Sequence, residues 1–275
     1  MNNEELIVHA RNIRKNIIRQ VSAAKSGHPG GSLGAADILT LLFFEVMDIT
    51  PENATRESIE NPDRDRFVLS KGHTSPLLYA VLAEKGIIPE EELLTFRQVN
   101  SRLQGHPNMN LVPGVDMSTG SLGQGLAAAD GMAIANKLSG NNHRIYCLVG
   151  DGESEEGEIW EAAMAAAHYK SDNLCAIIDV NGLQIDGATK DVIGPEPLDK
   201  KFEAFGWHVI NVDGHDFDAL RAAFAEAENT KGQPTALIAH TVKGKGVSFM
   251  ENQAAWHGTA PNAEQTELAL KELEG

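Results

Sequence analysis

The sequence is poor in cysteine and in aromatic residues, and it contains no long apolar run. Its only cysteines, Cys147 and Cys175, lack the spacing of a metal-binding motif and fall in apolar stretches, so we expect inert buried thiols. No apolar run approaches the roughly 20 residues that a membrane-spanning helix requires. The N-terminus lacks the apolar core of a signal peptide. These absences predict a soluble cytoplasmic protein with no membrane partner.

Basic residues are also scarce. The chain has 23 Lys and Arg against 39 Asp and Glu, a formal net charge of −16, which argues against nucleic acid as a partner. A site for a phosphorylated ligand must then be built locally from metal, histidine, lysine and backbone groups. The 275 residues are enough for one large α/β domain over 1–275, which we favour over two small domains.

A strand–helix–strand unit organises the middle of the chain. Residues 145–149 form a short apolar run that ends in Gly150-Asp151-Gly152, and residues 155–168 form a helix rich in Ala and Glu. Residues 174–178 form a second buried strand. A connection of this length makes the strands parallel, so the polar turns that follow them share one edge of the sheet. Open α/β sheets bind ligands outside that edge.

Further alternation predicts an α/β fold in which helices flank a parallel sheet. We predict additional strands at 66–69, 207–212 and 235–240, and a surface loop at 53–65. Helices are predicted at 4–24, 34–44, 77–85, 89–97, 195–205, 216–228 and 263–273.

Two polar residues at this edge indicate a metal and diphosphate site. Asp151 and Asn181 supply oxygen ligands, and we expect the Leu183 carbonyl to add a third. Three protein oxygens with room for phosphate oxygens and water suit octahedral Mg²⁺. The glycines beside Asp151 allow backbone N–H groups to approach a phosphate near a helix N-terminus. The alternative is an ordinary turn with a capping Asp and a turn Asn.

These residues resemble the diphosphate and metal motif of thiamine diphosphate enzymes. The stretches GDGESEEGEIWEA and DVNGLQIDG are similar to transketolase in particular, although the family's second Asn or Lys is Gly182 here. The resemblance implies the thiamine diphosphate-binding fold, with thiamine diphosphate and Mg²⁺ (or Ca²⁺ or Mn²⁺ in its place) as cofactors. It implies that Asp151, Asn181 and Leu183 bind the metal. Implied cofactor contacts in the first stretch are Gly150, Asp151, Gly152 and Glu153.

Four histidines lie in further motifs of the same family. His28 is in SGHPGGSLGAADIL, His73 in KGHTSP, His106 in GHP, and His257 in KGKGVSFMENQAAWHG. Taken alone, His28 reads as a surface histidine and His73 as part of a helix-capping turn. The resemblance implies that His73 contacts the diphosphate and that His28, His106 and His257 line the substrate channel and shuttle protons. A pKa near the ordinary 6.5 would suit that task.

The stretch TGSLGQG resembles the part of the family that meets the aminopyrimidine ring, here Gly120, Ser121 and Leu122. A helix of small residues follows it, and a tight helix or subunit contact explains that composition equally well. Glu156 resembles the family's buried acid at a subunit contact. A P-loop reading of the Gly/Lys stretch 241–246 is poor because no Walker pattern is present.

The resemblance covers the whole chain but only one domain of a transketolase. The pyrimidine-binding and C-terminal domains, with the glutamate that activates the cofactor, are expected on a partner chain in an α2β2 assembly. Such an assembly would move a two-carbon ketol unit from a ketose phosphate to an aldose phosphate. The alternatives are a deoxyxylulose-phosphate synthase, a 2-oxo acid dehydrogenase subunit, a transketolase of a modified sugar, or a non-catalytic cofactor-binding subunit.

Overall fold

The computed structural model describes residues 1–55 and 64–274, and its centre is a five-stranded parallel sheet. The strands are β1 (Arg66–Leu69), β2 (Ile145–Gly150), β3 (Leu174–Val180), β6 (His208–Asp213) and β7 (Thr235–His240), in the spatial order β1-β2-β3-β7-β6. A separate two-stranded hairpin is formed by β4 (Leu183–Gln184) and β5 (Gly187–Ala188). The parallel α/β fold predicted from the sequence is confirmed.

Helices cover both faces of the sheet because the strands are apolar on both sides. Tyr146 and Leu148 of β2 belong to one core, whereas Cys147 and Val149 belong to the other. Both cysteines are free and buried, as the sequence predicts. The helices are α1 (Asn3–Ala24), α2 (Pro29–Gly34), α3 (Ala36–Leu41), α4 (Ser75–Glu84), α5 (Gln124–Leu138), α6 (Gly157–His168), α7 (Thr189–Val192), α8 (Leu198–Ala204), α9 (Phe217–Asn229) and α10 (Ala263–Glu272).

The central unit predicted from the sequence is present as β2, α6 and β3. The register of β2 and β3 places Gly150 opposite Asp179, so the turns that follow the two strands are neighbours. Strand β3 lies between β2 and β7, in the middle of the sheet. The carboxyl end of β3 therefore lies between the carboxyl ends of β2 and β7.

Several predicted helices differ from the structure in type or extent. The helix predicted at 34–44 is divided into α2, which begins at Pro29, then α3, then a π-helical turn at Leu42–Val46. The break positions α2 against the loop after β7, since a Cβ at Gly34 would come within 3.0 Å of the Val242 carbonyl oxygen. The stretch predicted as a helix at 89–97 is a 3₁₀ helix, Glu90–Thr95.

The sequence analysis missed other elements or their exact ends, because individual hydrogen bonds determine where these elements form. Helix α6 begins two residues later than predicted, after a 3₁₀ turn at Gly152–Glu155 in which the Asp151 side chain accepts a hydrogen bond from Gly152 N–H. The β4–β5 hairpin and the short α7 were not predicted. Of the loop predicted at 53–65, residues 56–63 lie outside the described part of the chain. Among the described helices, none has the length and apolarity to cross a bilayer.

Candidate functional site

A cavity of about 320 Å³ opens at the carboxyl edge of the sheet, beside the ends of β2 and β3. Most residues that the sequence singled out line it, although their motifs are far apart in the chain. Of the predicted residues, Ser121 and Glu156 are not part of its wall. The predicted residues in the wall are His28, His73, His106, Gly120, Leu122, Gly150, Asp151, Gly152, Glu153, Asn181, Leu183 and His257.

Asp151 holds the two neighbouring turns together. Its Oδ2 accepts hydrogen bonds from the N–H groups of Asn181 (3.0 Å) and Gly182 (2.5 Å), and its Oδ1 accepts one from Gly152 (2.8 Å). Burial, and then the nearby charge of Asp179, raise the pKa of Asp151 to about 6 despite these hydrogen bonds. A buried carboxylate whose charge is this poorly compensated is stabilised by a cation.

The other two predicted metal ligands present oxygen atoms beside this carboxylate. The Asn181 Oδ1 accepts a hydrogen bond from Leu183 N–H (3.2 Å), and the Leu183 carbonyl accepts one from Lys243 Nζ (2.9 Å). The ammonium of Lys243 is thus a cation at the predicted metal-binding carbonyl. In the described residues, no three His, Cys, Asp or Glu side chains are arranged to hold a metal. One carboxylate, one amide and one carbonyl, together with ligand phosphates, fit Mg²⁺ rather than zinc.

Three of the histidines form a cluster over the cavity. The ring centroids of His28, His73 and His257 lie 5.1–5.4 Å apart. Burial, followed by nearby cations and histidines, lowers the pKa of His28 to about 4 and that of His257 to about 3, and the pKa of His73 also falls well below 6.5. The expectation of an ordinary histidine pKa is therefore wrong here, because these rings are desolvated. All three are neutral at pH 7.

Two ring nitrogens in this cluster are buried without a hydrogen-bond partner in the described chain: Nδ1 of His28 and Nδ1 of His257. Buried polar atoms in native proteins nearly always have a partner. In a neutral imidazole each such nitrogen is either a donor or an acceptor.

The fourth histidine packs on the loop that carries Gly120. A Cβ at Gly120 would approach the His106 ring to 3.1 Å, and the φ of Gly120 is +151°, so a glycine is needed there. A Cβ at Gly72 would lie 2.8 Å from Gly120 N, so the KGH loop and this loop are in direct backbone contact. The pKa of His106 is lowered by burial and then by the charge of Arg97.

Glu153 was predicted to contact the cofactor, but the protein itself occupies both of its carboxylate oxygens. Oε1 accepts from Ser70 Oγ (2.5 Å) and Gly123 N–H (3.0 Å), and Oε2 accepts from Gly150 N–H (3.0 Å). Burial raises its pKa. These contacts join the end of β1, the start of α5 and the Gly150 turn, which favours a positioning role.

Glu156 lies outside the cavity, at the N-cap position of α6, and is exposed in the chain alone. Its side chain makes no capping hydrogen bond. The role of Glu156 stays a prediction.

Two lysines and one aspartate of the site were not predicted as site residues from the sequence. Lys71 forms a buried ion pair with Asp179 at the centre of the sheet edge, and Thr241 Oγ1 also donates to Asp179. Burial opposes ionisation of Asp179, but Lys71 holds its pKa below the ordinary value. Burial and the charge of Lys71 lower the pKa of Lys243 to about 8. Lys71, Asp179 and Lys243 lie within the motifs KGHTSP, DVNGLQIDG and KGKGVSFMENQAAWHG, so membership of these motifs is the sequence signal that could have identified them.

Comparison with known proteins agrees with this geometry. Residues 5–274 match the family described as transketolase, thiamine diphosphate binding domain. The chain is 44% identical to the 6-deoxy-6-sulfo-D-fructose transketolase subunit SqwG of Clostridium sp. strain MSTE9, over 95% of this chain and 94% of that one. It is 44% identical to an apulose-4-phosphate transketolase subunit of Actinobacillus succinogenes, over 98% and 96%.

Full-length transketolases are matched over less than half of their length. The chain is 45% identical to the transketolase of Rattus norvegicus over 96% of its own residues, which span 41% of that enzyme. The crystal structure of the transketolase from Campylobacter jejuni superposes with a TM-score of 0.91 and 36% identity, over 100% of this chain and 43% of that one. The chain therefore belongs to the transketolase family and has the fold of its thiamine diphosphate-binding domain.

Proposed function

We propose that this chain is the N-terminal subunit of a two-chain transketolase, in which residues 1–275 form the diphosphate-binding domain. The reaction is the transfer of a two-carbon ketol unit from a ketose phosphate to an aldose phosphate. The observation that carries the proposal is the convergence of distant motifs on one cavity, where Asp151 and Asn181 lie beside three desolvated histidines.

The residues present fit thiamine diphosphate and Mg²⁺. The Asp151 carboxylate, the Asn181 amide oxygen and the Leu183 carbonyl would hold the metal, and Gly152 N–H and His73 would hold the diphosphate. Backbone atoms of Gly120, Ser121 and Leu122 would meet the aminopyrimidine ring. Bound thiamine diphosphate supplies the carbanion chemistry at its C2 carbon, and the protein supplies binding and orientation.

The chain's own contribution to the reaction is a set of neutral hydrogen-bonding groups. His28 and His257 line the cavity, and both are uncharged at pH 7 because burial lowers their pKa values. They would donate to or accept from substrate hydroxyls and hold a proton in transit, with His106 at the side of the cavity.

The two-chain arrangement is supported by the relatives. Bacterial relatives that are named as subunits match over 94–96% of their length, whereas full-length transketolases match over 41–43%. The partner would carry the pyrimidine-binding and C-terminal domains and the activating glutamate, and Glu156 would lie at the contact. Association of two such pairs of chains would give an α2β2 assembly.

A transketolase that acts on a modified sugar is the second candidate. The bacterial relatives that match over nearly their whole length are named for 6-deoxy-6-sulfo-D-fructose and for apulose 4-phosphate. The relatives described above are named as transketolases, which favours ketol transfer over the reaction of a deoxyxylulose-phosphate synthase or a 2-oxo acid dehydrogenase. A turnover measurement tests the alternative of a non-catalytic cofactor-binding subunit.

The test is turnover with thiamine diphosphate and Mg²⁺, measured for this chain by itself, for a candidate second chain by itself, and for the mixture. We expect ketol transfer only in the mixture, and the donor with the highest kcat/KM identifies the sugar. Turnover by the isolated chain would refute the two-chain proposal. Cofactor binding without turnover in any mixture would favour the non-catalytic alternative.

A further inference from the structure

The segment that follows β7 brings Lys243 into the cavity and is held from outside it. Lys243 is buried, lines the cavity, and donates from Nζ to the Leu183 carbonyl (2.9 Å). Directly before it, Val242 N–H donates to the Nε2 of His215 (2.9 Å). His215 is not part of the cavity wall. A side chain that would touch neither cofactor nor substrate therefore fixes the backbone next to a cation of the site.

The hydrogen bonds of His215 determine which of its ring nitrogens carries the proton. A backbone N–H can only donate, so Nε2 must present its lone pair to Val242. Nδ1 then carries the proton and donates to Asp37 Oδ2 (2.7 Å). A carboxylate that accepts from one ring nitrogen fixes both the tautomer and the orientation of the ring. The neutral ring thus bridges a carboxylate and the backbone.

Asp37 is itself held in place by Arg14. Its two oxygens accept from Nη1 (2.8 Å) and Nη2 (2.7 Å) of the guanidinium, and both side chains are about nine-tenths buried. Burial opposes ionisation of Asp37, but Arg14 and the hydrogen bond from His215 lower its pKa to about 2. The carboxylate therefore stays charged at neutral pH and keeps its hydrogen bond from His215.

This network joins four parts of the fold that are far apart in the sequence. Arg14 lies on α1, Asp37 on α3, His215 in the turn between β6 and α9, and Val242 after β7. The sequence analysis assigned no role to any of them. A buried network in which each member has its partners is rigid, so it can transmit position from the helices to the segment after β7.

We infer that His215 is a positioning residue for the metal and diphosphate end of the cavity. Asp37 orients its ring, and the ring fixes the N–H of Val242. The next residue, Lys243, is thereby held with its ammonium beside the Leu183 carbonyl. A cation that is already in place loses less conformational freedom when an anion binds, so its positioning raises affinity. The inference rests on the proposed function for the identity of that anion, the diphosphate, but not for the positioning of the segment.

Amide hydrogen exchange, measured by NMR in the chain, tests the positioning directly. His215→Asn places an amide nitrogen near Nδ1 that can still donate to Asp37, but it leaves no acceptor at the position of Nε2. We expect exchange at Val242 N–H to accelerate roughly two- to tenfold, as the loss of one hydrogen bond predicts. The carbonyl carbon signal of Leu183 should also move, because it reports the hydrogen bond from Lys243.

Two further variants control this measurement. In His215→Gln the side-chain carbonyl can reach the position of Nε2, so exchange at Val242 should return toward the parent rate. The matched control is His208→Asn, since His208 also contacts a carboxylate, that of Glu226 (2.7 Å), but lies at the amino end of β6, at the opposite edge of the sheet from the cavity. It should leave Val242 unchanged. Equal exchange at Val242 in the parent and in His215→Asn would overturn the inference, as would an equal acceleration at the core amides of β2 and β3.

The consequence for the site is measured by calorimetry, as the Mg²⁺-dependent affinity for thiamine diphosphate of the chain and of its assembly with the second chain. We expect His215→Asn to weaken this affinity roughly two- to tenfold, His215→Gln to weaken it less, and His208→Asn to leave it unchanged. In turnover, the half-saturating cofactor concentration should rise in His215→Asn while kcat at saturating cofactor is kept.

The outcomes separate this inference from the proposed function. Faster exchange at Val242 in His215→Asn, in a protein that binds no thiamine diphosphate in any mixture, would refute the function and support the positioning. Ketol transfer with the same cofactor affinity in His215→Asn and in the parent would keep the function and overturn the inference. A lower kcat at saturating cofactor with unchanged cofactor affinity would overturn it too, because His215 would then act in the chemical step.

Discussion

Asp151 is the residue on which cofactor loading should depend most directly. Asp151→Asn preserves the size of the side chain but removes the carboxylate that would bind Mg²⁺. Its amide nitrogen would face the N–H groups that donate to Oδ2 in the parent chain. We expect Mg²⁺-dependent binding of thiamine diphosphate to weaken at least roughly tenfold, measured by calorimetry. Asp218→Asn, an exposed change on α9, is the control. Unchanged affinity in Asp151→Asn would remove Asp151 from the metal site.

Glu153 should act on stability and cofactor affinity together. In Glu153→Gln one oxygen remains for Ser70 and Gly123, but the new amide N–H₂ faces the Gly150 N–H. A buried donor without an acceptor costs about 1–3 kcal/mol, so the free energy of unfolding should fall by that amount in urea titrations. Cofactor affinity should also fall because the Gly150 turn shifts. Glu161→Gln, on the exposed side of α6, is the control; equal effects of both changes would contradict the positioning role.

The buried histidines give the chain a defined pH dependence. Their folded pKa values, about 4 for His28 and about 3 for His257, lie below the ordinary 6.5. Between pH 6.5 and 4 the unfolded chain therefore binds more protons at these positions, and they lower stability as pH falls. The double variant His28→Gln/His257→Gln lacks this penalty, so its stability relative to the parent should rise from pH 7 to pH 5 in urea titrations. Parallel pH curves for parent and variant would contradict the burial of the two rings.

At the scale of elements, the β2–α6–β3 unit is predictable because short-range features decide it. Two apolar runs separated by one helix allow only a parallel pair, and Asp151 and Asn181 then meet at the strand ends. The division of 34–44 into α2 and α3 is decided instead by the distant loop at Val242. The role of Glu153 depends on Ser70 and Gly123, which only the fold brings to it. Long-range packing is therefore what the sequence pattern leaves open.

Asp116 ties β1 to the segment that leads into the Gly120 loop. Its carboxylate accepts from Arg64 and Arg66 and from Phe67 N–H (2.9 Å), and both Asp116 and Arg64 are about 1% exposed at the side chain. Asp116→Ala leaves the Arg64 guanidinium buried without its carboxylate, which costs about 3–5 kcal/mol. Urea denaturation should show that loss, whereas Asp218→Ala on the surface should change stability by less than about 0.5 kcal/mol. A loss below about 1 kcal/mol in Asp116→Ala would contradict this tie.

On the scale of the whole molecule, helix α5 presents an uncovered face of small residues that fits a contact with another chain. Gly131 is exposed, a Cβ built there meets no atom within 4 Å, and Ala135, one turn further on, is exposed as well. Nothing in the described chain packs closely on this face, so the fold of the chain itself does not require small residues there. If the assembly packs on α5, small residues are required there for close approach.

Gly131→Lys separates folding from assembly. Replacing a helix-interior glycine raises helix propensity by roughly 0.5–1 kcal/mol, so the isolated chain should be at least as stable as the parent in urea titrations. The same change places a long cation on the uncovered face, so mixing with the second chain should give a lower mass in analytical ultracentrifugation. Ala222→Lys, at an exposed position of α9, should assemble like the parent. Full assembly of Gly131→Lys with the second chain would exclude α5 from the interface. If Gly131→Lys loses both assembly and cofactor-dependent turnover, the site is completed only between the two chains.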